Sequence, residues 1–260
     1  MDVGGYLRLL GHSGPADPSI ELLRRLHAAH LRAVPFDNAS IMAGEQIVLD
    51  PDALVDKVVS RRRGGFCYEL NGAFAALLGE LGFAVDLLQA RVHDDNRLGP
   101  QFDHLCLRVH LDEPWLADVG FGHFFLEPLR LSLAIEQRDP HGAFRLVEAG
   151  QGADAGIDAQ WRHSSGAWEP HYRFTPEPHP LEDFAAMCVH QQTSPSSPFT
   201  KGWICSRATP AGGVTYMGGR LVITDGGDRE ERQISDAAEQ RSVLAQFFGI
   251  RLDADATAGD

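Results

Sequence analysis

Apolar positions recur at helical spacing through the first eighty residues. Leu22, Leu23, Leu26 and His30 share one face after Asp17-Pro18-Ser19, a helix start signal. A second helix is predicted to open at Pro51-Asp52-Ala53-Leu54-Val55, with proline in the first turn, where a missing N–H matters little. A third is predicted from about Cys67 to Leu81. Phe66, Leu70, Phe74, Leu77 and Leu81 form its apolar stripe, and Gly82 supplies the stop.

From Ala84 the pattern becomes that of strands. Residues 85–92 are mostly apolar, and 104–111 alternate. Leu105, Leu107, Val109 and Leu111 face one side; His104, Cys106, Arg108 and His110 face the other. Further strands are predicted at 115–119, 144–147 and 168–174, with small polar residues 150–156 as a surface loop. Prolines between 176 and 180 break the chain before a helix over 181–189. Strands over 203–208 and 215–224 follow, with a hairpin signal at 210–213, then a helix over 235–248 closed by Gly249 and a polar tail. No internal repeat is visible. Helices, then strands, then a mixed end predict an α+β chain of three packed segments.

A length of 260 residues suits one large domain or two to three small ones sharing a core. The 43% hydrophobic and 23% charged residues match a soluble globular protein. A net charge of −13 argues against nucleic acid as a partner, although local arginines and backbone N–H groups can still hold an anionic cofactor. No apolar run nears the roughly 20 residues that span a bilayer, so no membrane partner is expected. Met1-Asp2-Val3-Gly4-Gly5 lacks signal-peptide character, which predicts a cytoplasmic location. The four cysteines, Cys67, Cys106, Cys188 and Cys205, form no C-x-x-C pair and read as free thiols. The histidines are scattered without ligand spacing, so no metal is expected.

The most informative run is Arg61-Arg62-Arg63-Gly64-Gly65-Phe66-Cys67-Tyr68-Glu69-Leu70-Asn71-Gly72. It sets Cys67 at the first turn of a helix, where the dipole and free N–H groups favour a thiolate, so a lowered thiol pKa is predicted. The same position also suits a small buried hydrophobe. A nucleophilic cysteine needs a base and an orienting group. His104, opposite the leucines of its strand, and Asp118, just before Val119-Gly120-Phe121-Gly122, are candidates; each also reads as an ordinary strand residue or turn cap. In an antiparallel hairpin, pairing 104 with 118 folds the chain about Leu111, whereas the turn Asp112-Glu113-Pro114 sets Asp118 opposite Arg108. Both registers put Asp118 on the His104 face, because they differ by an even number.

These runs, with Asp103-His104-Leu105, Val34-Pro35-Phe36-Asp37-Asn38 and Ser197-Pro198-Phe199, resemble arylamine N-acetyltransferases from about residue 6 to 250. The resemblance implies a papain-like Cys-His-Asp triad of Cys67, His104 and Asp118. It implies a helical first domain (1–83), a β-barrel-like antiparallel second (84–190) and an α/β lid (191–260). The implied activity is ping-pong transfer of an acetyl group from acetyl-CoA, the acyl donor, to an arylamine or arylhydrazine through an acyl-cysteine. Phe36 and Phe121 match positions near the aromatic acceptor, though core packing would explain them too. Backbone N–H groups around Gly120 and Gly122 are placed to meet the cofactor's phosphates, or else form a tight turn. Related amide synthases keep the triad and close a macrolactam from a polyketide on an acyl carrier protein. A hydrolase and a non-catalytic binding protein are the remaining readings. Departures from the family pattern are Asp37 in place of Glu, which shortens any ion pair there, for instance to Arg63, and His190-Gln191-Gln192-Thr193. The C-terminus also stops sooner than in many bacterial members, which bears on the lid and acceptor selectivity.

Overall fold

A computed structural model describes residues 1–94, 97–163 and 165–252. The chain opens with helices α1 (Val3–Leu9) and α2 (Ile20–Ala33), a two-residue strand β1 (Phe36–Asp37), and helices α3 (Ala39–Met42), α4 (Pro51–Val59) and α5 (Cys67–Glu80). Ser19 caps α2 by accepting the Leu22 N–H (3.2 Å), and Asp50 caps α4 through the Ala53 N–H (2.9 Å). Helix α5 stops at Gly82, whose φ of +88° needs glycine. It is apolar nearly all round, and Tyr68, Leu70, Ala73, Phe74, Leu77 and Leu78 are fully buried. Such a helix belongs in a core, and α5 packs between α4 and a sheet.

That sheet comprises β2 (Ala84–Asp94), β3 (Arg97–Leu98), β4 (His104–His110), β5 (Pro114–Ala117), β6 (Leu129–Arg130), β7 (Gln137–Asp139), β8 (Gly142–Ala149), β9 (Gly156–Arg162) and β10 (Trp168–Pro178). Its nine strands run in the order β6-β5-β4-β2-β10-β9-β8-β7 with β3 beside β2, all antiparallel. The sheet curls towards a barrel. Its two edges meet through the Gln137 side chain, which accepts the Arg130 N–H (2.7 Å) and donates to the Arg130 carbonyl (2.9 Å). The alternation in β4 serves two cores. Leu105, Leu107 and Val109 join the helices, while Cys106 joins Leu88, Leu116, Phe124, Phe144 and Tyr172 inside the barrel.

Beyond a 3-10 turn (Leu181–Phe184), α6 (Ala185–Thr193) leads to β11 (Ile204–Thr209), β12 (Gly212–Met217), β13 (Arg220–Asp225) and β14 (Asp228–Gln233), then α7 (Ala237–Phe248). These strands form a sheet ordered β1-β11-β12-β13-β14, so Phe36-Asp37 of the helical segment supplies its edge. Helix α7 covers it through Val243, Leu244 and Phe248, and Gly249 ends α7 at φ +71°.

Several expectations need correcting. The run 215–224 is two strands, because Gly218 and Gly219 take φ of +59° and +76° and turn the chain. The segment 150–156 holds a 3-10 turn at Gly152–Asp154 before β9. Strand β10 continues through Pro176 to Pro178 with a register shift after Phe174, and β5 ends at Ala117, leaving Asp118 outside it. The predicted polar tail runs into 253–260, outside the described residues.

Candidate active site

Cys67 is the first residue of α5, 4% exposed. The glycines before it answer to close contacts. A Cβ on Gly64 would lie 2.1 Å from the Pro35 carbonyl oxygen and 2.2 Å from Asp37 Oδ2. Strand β1 pins this loop, since the Asp37 N–H donates to the Gly65 carbonyl (2.8 Å). Below it, Glu69 Oε2 accepts the Phe66 N–H (3.2 Å), and its other oxygen pairs with buried Lys57 (2.5 Å).

His104 begins β4 and Asp118 follows β5; the two are 2% and 3% exposed. The hairpin register pairs Leu107 with Ala117 and Arg108 with Leu116. Folding is therefore about Asp112, midway between the two registers read from the sequence, and parity still sets Asp118 on the His104 face. His104 Nε2 meets Asp118 Oδ2 at 2.7 Å. The other carboxylate oxygen accepts from Asn71 Nδ2 (2.9 Å) and from the Gly120 N–H (2.9 Å). Burial by itself would raise the Asp118 carboxyl. The His104 imidazole and these donors outweigh it and hold the group below its usual range, so it is a carboxylate.

Two side chains of α5 tie the helix that carries Cys67 to this pair. Tyr68 Oη donates to the Phe102 and Asp103 carbonyls (2.7 and 3.2 Å), holding Phe102 at a left-handed φ of +62° just before His104. Asn71, one turn along α5, donates to the Leu105 carbonyl (2.6 Å) as well as to Asp118, and accepts the Val119 N–H (2.9 Å). On the other flank Gly120 leans on Cys67. A Cβ there would stand 2.8 Å from Cys67 Cα.

The thiol pKa departs from expectation. Burial pushes the Cys67 thiol up, and the Asp103 and Asp118 carboxylates and Cys188 push the same way, with only the Leu105 backbone opposing. A helix N-terminus does not overcome that desolvation. Ionisation at this site therefore requires a partner that takes the proton. Cys106 is fully buried inside the barrel, its thiol also raised by burial.

Phe121 lies edge-on to the His104 ring (5.2 Å between centroids), and Tyr172 packs on the same ring (5.0 Å). Phe36 lies beside Gly122, against Phe199 (6.1 Å). The Gly120 amide is already given to Asp118 Oδ1, so it does not face outward; Gly122, at φ +88°, carries no such tie to Asp118. The expected Asp37–Arg63 pair does not form. Arg63 reaches Glu45 instead (2.6 Å), while Asp37 Oδ2 stays buried without a partner. Gln191 donates to Asp103 Oδ1 (2.7 Å), tying α6 to the residue before His104. Asn71 and Gln191 escaped the sequence reading. For Asn71 a signal existed, since its i+4 offset from Cys67 puts both on one helix face. Among the described residues no group of three or more His, Cys, Asp or Glu is arranged to hold a metal ion.

A family model described as N-acetyltransferase matches residues 19–257. The arylamine N-acetyltransferase of Mycolicibacterium smegmatis is 36% identical over 97% of this chain and 93% of its own length. The Escherichia coli K12 enzyme of that name is 34% identical over 95% and 88%. The chain belongs to the arylamine N-acetyltransferase family. Its architecture agrees with that of the family. The Mycobacterium abscessus arylamine N-acetyltransferase structure superposes with a TM-score of 0.90 at 30% identity, covering 98% of this chain and 92% of that one. The Mycobacterium marinum arylamine N-acetyltransferase in complex with CoA superposes at 0.88, with 32% identity over 96% and 93%. The resemblance to arylamine N-acetyltransferases, and the helix–barrel–α/β arrangement that it implies, are borne out.

Proposed function

We propose that this protein moves an acetyl group from acetyl-CoA to an aromatic amine through an acyl-Cys67 intermediate, with His104 as the base and Asp118 as its orienting group. The observation that carries this reading is the buried 2.7 Å contact between His104 Nε2 and Asp118 Oδ2, with Gly120, whose N–H Asp118 accepts, packed against the Cys67 backbone. A carboxylate at Nε2 holds the proton there and leaves the Nδ1 lone pair free to accept the thiol proton. Because the Cys67 thiol resists ionising alone, the proton passes to the imidazole, whose positive charge Asp118 stabilises.

The thiolate attacks the thioester carbonyl and a C–S bond forms. The C–S bond to CoA then breaks as His104 returns the proton to the departing sulfur. A neutral amine next attacks the acyl-cysteine, His104 takes the amine's proton, and the thiolate leaves. The Cys67 N–H, at the first helical position with no intrahelical acceptor, is the oxyanion donor in this scheme. Phe121 beside His104 is the aromatic wall for the acceptor, and Phe36, beside Gly122, extends it. Gly122 rather than Gly120 keeps an amide for the cofactor. The donor is CoA-bound and no metal takes part. Four free cysteines fit a reducing cytoplasm, and no described helix is long and apolar enough to cross a membrane.

Intact mass spectrometry after incubation with acetyl-CoA tests the reading. A gain of about 42 Da on Cys67, lost on adding an arylamine and absent from Cys67→Ser, is expected. A gain only from carrier-bound long-chain thioesters would instead support amide-synthase chemistry. No adduct from any thioester would refute the acyl-enzyme.

A further inference from the structure

His27 lies on α2, far from the chemistry in sequence, and is fully buried. Its Nε2 is 3.0 Å from the Asp118 N–H, and its Nδ1 is 2.9 Å from the Leu126 carbonyl oxygen. An amide can only donate, so Nε2 is the lone-pair nitrogen and Nδ1 bears the hydrogen. The ring is thereby held as one neutral tautomer. It stacks on Phe125 (5.7 Å, 14° between planes) and meets the edge of Phe74 (6.1 Å).

The two groups it grips bound the segment 118–126, which forms no helix or strand and carries Asp118, Gly120, Phe121 and Gly122. One imidazole from the helical segment thus closes a clasp across the whole loop. Asn71 and Gly120 hold the Asp118 carboxylate, but its buried main-chain N–H is met by His27. Turning that main chain would swing Oδ2 away from His104.

We propose that His27 is a positioning residue for acyl transfer, holding the Asp118 backbone so that the carboxylate meets His104. The inference rests on the triad reading of the preceding section. Burial lowers the imidazole's affinity for a proton against the pull of the Leu126 carbonyl, Asp118 and Asp139, and His30 is the next ionisable group along α2. The neutral form, the one able to accept the Asp118 N–H, is accordingly favoured.

Three variants separate positioning from bulk packing. In His27→Gln the amide oxygen takes the place of Nε2 and can accept the Asp118 N–H. In His27→Asn the amide nitrogen takes the place of Nδ1 and keeps only the Leu126 contact. His30→Asn is the control, since His30 shares the helix, the complete burial and the Phe74 contact (5.4 Å) but bonds Tyr6 instead. Thermal stability, CoA release during acylation of Cys67, and the pH profile of Cys67 alkylation by iodoacetamide are measured on each. His27→Asn is expected to slow acylation about ten- to a hundredfold and shift the alkylation profile to higher pH. His27→Gln should return acylation to within about fivefold of wild type. His30→Asn should lose stability while keeping rate and profile. Equal losses in the Gln and Asn variants, or the same shift in His30→Asn, would overturn the assignment. Wild-type acylation with unaltered His27 variants overturns this inference alone. A wild-type protein that takes no acetyl group overturns the triad reading and this inference with it.

Discussion

Asp37 shows how one methylene changes a residue's circumstances. Its Oδ1 accepts the Ala39 N–H (2.9 Å), but Oδ2 has no partner and crowds Gly64 together with the Pro35 carbonyl. Burial pushes its pKa up to about 6. Since the folded protein then binds the proton more tightly than the unfolded chain, Asp37 favours folding at about pH 4 and that contribution is lost as pH rises through about 6. Asp37→Asn keeps the bond to Ala39 and carries no charge. It is expected to be more stable than wild type at pH 8, by on the order of 2 kcal/mol, and nearly equal at pH 4. Denaturant titrations at both pH values check this; an equal effect at both would show that the charge is not what matters. At this scale the sequence exposed the departure at position 37 but not the orphaned oxygen, because Arg63's choice of Glu45 depends on where α3 ends.

Among the elements, α5 and the loop after β5 form the contact on which the site turns. The Gly120 backbone rests on the Cys67 backbone, with Asn71 Nδ2 only 2.6 Å from where a Cβ would be. Gly120→Ala is therefore expected to push the loop off α5, costing about 1–3 kcal/mol of stability and slowing acylation of Cys67. A melting curve beside the intact-mass assay would show it, and unchanged values in both would contradict so tight a packing. Helices α2, α4, α5 and α7 and strands β2, β4 and β8 were legible, because each has an apolar period bounded by a cap, glycine or proline. Strand β14 was not. Every residue of Asp228-Arg229-Glu230-Glu231-Arg232-Gln233 is exposed, so it carries no alternation and exists through backbone pairing with β13. The clean period of β4 gave the shared face of His104 and Asp118, yet not their contact, which the exact turn at Asp112 sets.

At the scale of the whole molecule, the helical and C-terminal segments are joined through Asn38. It donates to the Phe199 and Gly202 carbonyls (2.8 and 2.7 Å), accepts the Ile204 N–H (2.9 Å) and is 1% exposed. Asn38→Ala strands those groups and is expected to cost roughly 2–4 kcal/mol. The segment 194–203 should also become cleavable by protease under native conditions. Intact digestion patterns with unchanged stability would mean that the β1–β11 pairing suffices by itself. The family, the α+β class and the three residues proposed for catalysis follow from the sequence alone, because caps, periods and short motifs are written in neighbouring residues. Tertiary structure alone decided that Phe36-Asp37 completes a sheet begun at residue 204, that Asn71 bonds the Asp118 carboxylate and His27 its main-chain N–H, and that the Cys67 thiol is raised rather than lowered. Those outcomes depend on distances between groups as much as 170 residues apart in the chain, and on how completely packing removes water from a charge.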